Sequence, residues 1–196
     1  MKKIALTGGI ACGKTVAGTI LAEAGYPVCE ADAVAHDLMR PGQPVHDAVV
    51  RAFGPSILDA AGAIDRGRLG RLVFADPEKR ETLNALVHPA VKAAIADWLD
   101  RQPAGTAAAV VIVPLLYEAG LADGWDAVIC VASPRAVQWQ RLRDRGLSEE
   151  EARQRLAAQM ATVEKMNRAD RVVFNSGTKE RLREQILAAM NEMREG

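Results

Sequence analysis

The sequence predicts an α/β fold: a five-stranded parallel sheet flanked by helices, with a phosphate-binding loop after its first strand. Three observations carry this. Short apolar runs alternate with amphipathic stretches along the 196 residues, the pattern of parallel strands joined by helical crossovers. The run Ala107-Ala108-Ala109-Val110-Val111-Ile112-Val113 is apolar throughout, as suits a central strand covered on both faces. Finally, Gly8-Gly9-Ile10-Ala11-Cys12-Gly13-Lys14-Thr15 satisfies G-x-x-x-x-G-K-[ST] between a strand-length run and a helical one, the context a P-loop requires.

In chain order, Lys3-Ile4-Ala5-Leu6-Thr7 is the first strand, and Val16, Ile20 and Leu21 give the following helix its apolar face. Gly25-Tyr26 ends that helix, residues 27–31 form a second short strand, and Asp32 stands at its carboxyl end. The character then changes. A Pro/Gly-rich loop (40–44) leads to an amphipathic helix (45–53), turns at 54–55 and 59–62, and a short helix (68–74). Asp76-Pro77 caps a helix through Val87, and His88-Pro89 opens another to about Arg101. This helical insertion between the second and third strands is placed to grip a substrate the P-loop does not see. The fourth strand covers 126–131. Ser133 as cap and Pro134 at the first position start a helix through Arg145, and Ser148 with Glu151 makes a capping box for a helix to about Asn167. Residues 171–174 are the fifth strand, Asn175-Ser176-Gly177 a turn, and 178–193 a terminal amphipathic helix. The expected organisation is one domain: a nucleotide-binding core (1–36, 106–136 and 168–196), an acceptor-binding insertion (37–105) and a lid region (137–167) in which Gly146 and the charged helix after it close.

The loop's chemistry follows from its residue types. Glycines let the chain turn tightly so that several amides face one anion, and the helix amino terminus adds partial positive charge. Lys14 can reach the β- and γ-phosphates of a nucleotide, and the Thr15 hydroxyl can join a Mg²⁺ shell. Asp32 lies at the sheet edge where ligands of open α/β sheets collect; it suits either chemistry or a helix N-cap. Arg141 and Arg145 are i,i+4 on one helix and so share a face, either as a clamp on a transferring phosphoryl group or as solvated surface. His88 beside Pro89 reads as a cap or a packed residue sooner than a catalyst, the bland reading of Glu118 is a surface carboxylate, and His36 and His46 have no nameable partner. Cys12 is either a tolerated small side chain or an oxidisable thiol.

Composition narrows the classes. Hydrophobic residues make up 49% and aromatics 4%, so aliphatic side chains must fill the core. Formal net charge is zero, which gives no electrostatic case for nucleic acid or a membrane surface. Cys12, Cys29 and Cys130 are scattered without C-x-x-C spacing, excluding a disulfide framework or zinc site and favouring a reducing, cytoplasmic setting. The apolar stretch after Met1-Lys2-Lys3 is too short for a lipoprotein signal and is broken by Thr7-Gly8-Gly9. No obligate protein partner is evident.

Several stretches in register resemble the dephospho-coenzyme A kinase family: Leu6-Thr7-Gly8-Gly9-Ile10, Ala31-Asp32-Ala33, His88-Pro89, Pro114-Leu115-Leu116-Tyr117-Glu118, Gln159, and Ala169-Asp170 through Asn175-Ser176-Gly177. The resemblance covers essentially the whole chain. It implies a P-loop nucleotide-kinase core with a helical coenzyme A subdomain and a lid. It also implies transfer of the γ-phosphoryl of ATP to the ribose 3′-hydroxyl of dephospho-CoA, the last step of coenzyme A synthesis. Asp32 would then accept the proton of that hydroxyl or orient it. Gly8, Gly9, Ala11, Cys12, Gly13, Lys14, Thr15 and Val16 would hold ATP, with Mg²⁺ at Thr15. Arg141 and Arg145 would close over the transferring group, and Asn175 with Gly177 would line the adenine pocket. His88 and Leu115, Leu116, Tyr117 and Glu118 would face the acceptor. Ala11-Cys12 stands where the family usually has Gly-Ser, and Thr15-Val16 where Ser-Thr is common.

Two alternatives differ in class. A P-loop kinase for a nucleoside or nucleoside monophosphate would share the ATP half and differ in the insertion. A GTPase-like switch would need Asp59-x-x-Gly62 and Asn167-Arg168-Ala169-Asp170 to follow sheet strands, which neither does.

Overall fold

A computed structural model describes residues 1–195. Two compact units emerge, one of residues 1–30 together with the chain from residue 102 onward, the other of residues 31–101.

The first unit holds the sheet. Its strands are β1 (Lys2–Gly8), β2 (Val28–Glu30), β3 (Ala108–Ile112), β4 (Ala127–Ala132) and β5 (Arg171–Phe174), all parallel, in the order β2-β3-β1-β4-β5. Every residue of β3 and β4 is buried, as the unbroken apolar runs predict for strands covered on both faces. On one face, α1 (Lys14–Glu23) and the terminal helix, here α9 (Lys179–Glu195), supply Ile20, Leu21, Leu182, Ile186 and Met190 to a core with Ile4, Leu6, Val110, Ile129 and Val131. Further along the chain come α6 (Arg135–Asp144), α7 (Glu149–Ala157) and α8 (Thr162–Arg168). Leu142 and Ala152 of this group close a smaller cluster with Ala11, flanked by Ile10 and Trp139. Order 2-3-1-4-5 brings the carboxyl ends of β1, β3 and β4 side by side, and the P-loop grows from the central one.

The second unit contains α2 (Ala31–Leu38), α3 (Pro44–Phe53), a 3-10 turn, α4 (Arg66–Ala75) and α5 (Pro77–Asp100). Asp65 and Asp76 cap α4 and α5, each carboxylate accepting two backbone N–H groups.

Three boundaries differ from expectation. The predicted pair of helices meeting at His88-Pro89 is a single 24-residue helix, α5, with Pro89 in its interior. An interior proline costs roughly 3 kcal/mol. Here Val87, Val91, Ile95 and Leu99 form one buried stripe continuing through it, and that burial offsets the cost. Conversely, the long helix predicted from Ser148 to Asn167 is two: the capping box forms as expected, but the chain leaves the helix after Ala157 and re-enters at Thr162. Lastly, α2 starts at Ala31, so Asp32 is in its first turn and not its N-cap.

Candidate active site

The P-loop joins β1 to α1, and other elements fix its backbone. Gly13, at the N-cap of α1, has φ of 92°, and a Cβ there would lie 2.0 Å from Nδ2 of Asn175; glycine alone meets both demands. Gly9 is approached as closely, since a Cβ would fall 2.1 Å from Oγ1 of Thr162 on α8. Ala11 holds φ of 56° without being glycine, a conformation that persists where the surroundings over-determine it. They do so here. Arg141 on α6 donates from Nη1 to the Ala11 carbonyl at 3.0 Å and to Ser133 Oγ at 3.1 Å, and from Nη2 to the Asn175 carbonyl at 3.0 Å. Buried Asn175, following β5, donates from Nδ2 to the Cys12 carbonyl at 2.9 Å. Ser133 Oγ donates to the Asn175 carbonyl at 2.7 Å, which closes the network. Gln138 Nε2 bonds both the Ser133 carbonyl (2.9 Å) and Thr162 Oγ1 (3.1 Å), tying α6 to α8. Two P-loop carbonyls are thus held from behind by side chains of other elements.

Lys14 Nζ lies on the loop itself, 3.0 Å from the Gly8 carbonyl and 2.9 Å from that of Gly9. Thr15 and Val16 are exposed in the first turn of α1. The Cys12 residue is fully enclosed, which does not favour the oxidisable alternative. Nearby Cys130 is pushed up to about 11 by burial and then by Cys12. Ser133 is not the helix cap its position suggests; Pro134 occupies that place and the serine hydroxyl turns to the loop. Arg141 and Arg145 separate in role: Arg141 is committed to the P-loop, while Arg145 is exposed at the C-cap of α6. A Cβ at Gly177 would meet nothing nearer than the Arg181 Cβ at 4.0 Å.

The segment after β3 is a second junction. Leu115 is 43% exposed and Leu116 fully buried. Tyr117 lies under the guanidinium of Arg168, 5.5 Å from ring centroid, with its hydroxyl buried and unpartnered among the described residues. Burial first, and then the neighbouring Cys130 and Asp170, raise the Tyr117 phenol. Glu118 is an exposed residue with a buried partner: it pairs at 2.8 Å with Lys165, whose side chain has no exposure, and accepts the Met160 N–H at 3.0 Å. Lys165 also donates to the Pro114 carbonyl at 2.7 Å. Of the four residues expected to face an acceptor here, Leu115 presents its side chain to solvent, and Glu118 instead fastens the break between α7 and α8.

Within the second unit, Asp32 is exposed in the first turn of α2. His88 is half-buried within α5; burial, and then Lys92 one turn on, hold its imidazole below the ordinary value. His46, for which the sequence suggests no partner, is buried with Nε2 3.0 Å from the Gly62 carbonyl and Nδ1 3.1 Å from the Asp47 carboxylate, fixing the turn at 59–62. Sequence reasoning also passes over Gln138, Thr162 and Lys165, polar residues with no local motif to mark them.

Among the described residues no His, Cys, Asp or Glu cluster could hold a metal ion, and no helix is long and apolar enough to cross a membrane. A family model described as dephospho-CoA kinase matches residues 2–180. The chain is 44% identical over 191 residues to a dephospho-CoA kinase of Geobacillus kaustophilus, covering 96% of this chain and 95% of that one. It is 47% identical to that of Symbiobacterium thermophilum, with coverage of 96% and 80%. Among solved structures it resembles TT1252 from Thermus thermophilus (TM-score 0.86, 35% identity, 97% and 96% covered). The dephospho-CoA kinase of Campylobacter jejuni superposes with a TM-score of 0.71 at 26% identity, 99% and 98% covered.

Proposed function

The chain belongs to the dephospho-CoA kinase family, and on that premise we propose how its residues divide the work. It is an enzyme that transfers a phosphoryl group from ATP to the ribose 3′-hydroxyl of dephospho-CoA, the final step of coenzyme A synthesis. The observation that carries the assignment is the P-loop, its Ala11 and Cys12 carbonyls held by Arg141 and Asn175, with Lys14 lying across it.

Residues 8–16 cradle the triphosphate, and Lys14 moves from the loop carbonyls to phosphate oxygens. Phosphoryl transfer with a loose transition state depends on placement and charge neutralisation, so a loop already held in shape lowers the cost of reaching it. Arg141 supports the loop, and Arg145, free to swing, closes over the transferring group together with residues 137–167 as a lid. Asn175 and Gly177 flank the adenine. Mg²⁺ fits the donor set: it keeps several waters and takes few protein ligands, so one exposed hydroxyl, Thr15, with no carboxylate cluster suffices. When bound, it neutralises charge on the phosphates. Asp32 orients the 3′-hydroxyl and accepts its proton as the bond to phosphorus forms. His88 and Leu115 face the acceptor. The substrates are small molecules, and the free, buried cysteines suit the cytoplasm.

The test is purified protein with Mg-ATP and a panel of acceptors: dephospho-CoA, nucleosides and nucleoside monophosphates, with products identified by mass spectrometry. Phosphorylation of dephospho-CoA at the 3′-position is expected. Transfer to the 5′-phosphate of a nucleoside monophosphate and none to dephospho-CoA would overturn the assignment.

A further inference from the structure

The phosphoryl-transfer chemistry gives no task to Lys165, a cation with no solvent exposure. Its ammonium meets the Glu118 carboxylate at 2.8 Å and the Pro114 carbonyl at 2.7 Å. Taking such a pair out of water is costly, and apolar side chains of similar volume often stabilise a fold as well or better. What an apolar pair lacks is direction. Lys165 fixes one particular carbonyl, just past the end of β3, and through Glu118 it fixes the Met160 N–H in the break between α7 and α8.

The place of that carbonyl gives the pair its meaning. Strands β1 and β3 run side by side with Leu6 opposite Ile112, so the chain leaves the sheet at neighbouring points: from β1 into the P-loop, and from β3 through Pro114 to Leu115. The Pro114 carbonyl also accepts, more loosely, from Oγ1 of Thr7, the residue before Gly8, at 3.4 Å. Helix α8 reaches both exits. Thr162 sets its Oγ1 against Gly9, where a Cβ would come within 2.1 Å, and Lys165 holds Pro114. Residues three apart share a helix face, and the rise between them is about 4.5 Å. Less than one turn of α8 thus spans the loop that carries the nucleotide and the segment that leads to Leu115. Resting on the reading above that Leu115 faces the acceptor, we propose that Lys165, oriented by Glu118, is a positioning residue that sets the acceptor segment against the P-loop. It touches no substrate and acts through the Pro114 carbonyl. A misplacement of about 1 Å can cost phosphoryl transfer about a hundredfold. A small shift at Pro114 therefore lowers turnover without loosening the nucleotide, whose loop Arg141 and Asn175 hold separately.

The experiment compares wild type, the double variant Lys165→Met with Glu118→Gln, and Leu115→Glu. The double variant removes both charges at nearly constant volume and keeps an acceptor for the Met160 N–H. Its melting temperature by calorimetry should stay within about 3 °C of wild type, and its affinity for Mg-ATP by titration within about twofold. Its kcat with dephospho-CoA should fall about tenfold or more, and by a larger factor than KM for that acceptor changes. A wild-type kcat in the folded double variant would overturn the proposal. So would an equal fall in Mg-ATP affinity, which would place the effect on the loop. A melting temperature lowered as far as in Lys165→Met alone would make the pair a fastener of the fold and overturn it too. Leu115→Glu tests the reading underneath: KM for dephospho-CoA should rise about tenfold. An unmoved KM would remove the placement of Leu115 and the proposal with it, whereas a raised KM beside an unimpaired double variant would remove the proposal alone.

Discussion

The two units of this chain are held together by different means. In the unit that carries the sheet, side chains distant in sequence converge on one loop: Arg141 reaches Ala11, Asn175 reaches Cys12, and Lys165 ties the segment after β3 to α8. In the 31–101 unit, polar side chains serve their own neighbourhood. Asp65 and Asp76 cap the helices they begin, Asp59 bonds the turn it opens, and Arg40 pairs three residues back. Chemistry at phosphorus tolerates little misplacement, and the first arrangement over-determines the geometry. On the proposed reading the 31–101 unit grips the acceptor, which asks for shape and a few charges that locally built helices supply. The lesson is that damage in the first unit should fall on turnover or on the fold as a whole, while damage in the second should fall on acceptor preference.

The largest effect tests the loop. Lys14→Ala should lower kcat by about a thousandfold or more in an ADP-release assay, with binding of dephospho-CoA by titration left within about twofold. An equal loss in both quantities would blur the separation between the units.

Next is a contrast of two ion pairs. Lys165→Met leaves the Glu118 carboxylate without its buried partner. Breaking such a pair costs about 3–5 kcal/mol, and because Glu118 keeps 21% of its side-chain exposure the lower end applies. For a domain of this size that lowers the melting temperature by about 6–12 °C, read by calorimetry. Lys79→Met in the other unit removes an exposed partner of Asp76 and should leave melting unmoved.

The smallest effect belongs to His88. Its folded value lies below the ordinary 6.5 because burial and Lys92 disfavour the imidazolium. The unfolded chain therefore takes up this proton first as pH falls, so stability is complete above about pH 6.5 and declines below it. His88→Gln should flatten that slope between pH 7 and 5 in denaturant titrations. A slope unchanged by the substitution would assign it to other groups.

Much of the first unit was legible beforehand, for a physical reason. The strands β3 and β4 are continuous apolar runs, β1 has an apolar centre, and the P-loop motif is contiguous, so local chemistry and global fold agree. What escaped was decided by tertiary packing. Pro89 reads locally as a helix start, yet the stripe from Val87 to Leu99 carries the helix through it. Ser133 before Pro134 reads as a cap, but the hydroxyl finds better partners in Arg141 and the Asn175 carbonyl. Lys165 and Glu118 lie far apart in sequence and meet only because β3 and α8 are brought together; nothing near either residue announces the pair. Asp32 was legible as a residue at the end of a strand, but its place in the first turn of α2 and not at the N-cap depends on where that helix begins.

The proposed division of labour has Asp32 acting on the acceptor hydroxyl while the P-loop holds the nucleotide. Asp32→Asn keeps the size and removes the charge, so the direct measurement is its kcat with dephospho-CoA alongside its affinity for Mg-ATP. A fall in kcat of about a hundredfold or more, with ATP affinity within about twofold of wild type, is the predicted result. A variant that turns over at the wild-type rate would contradict it.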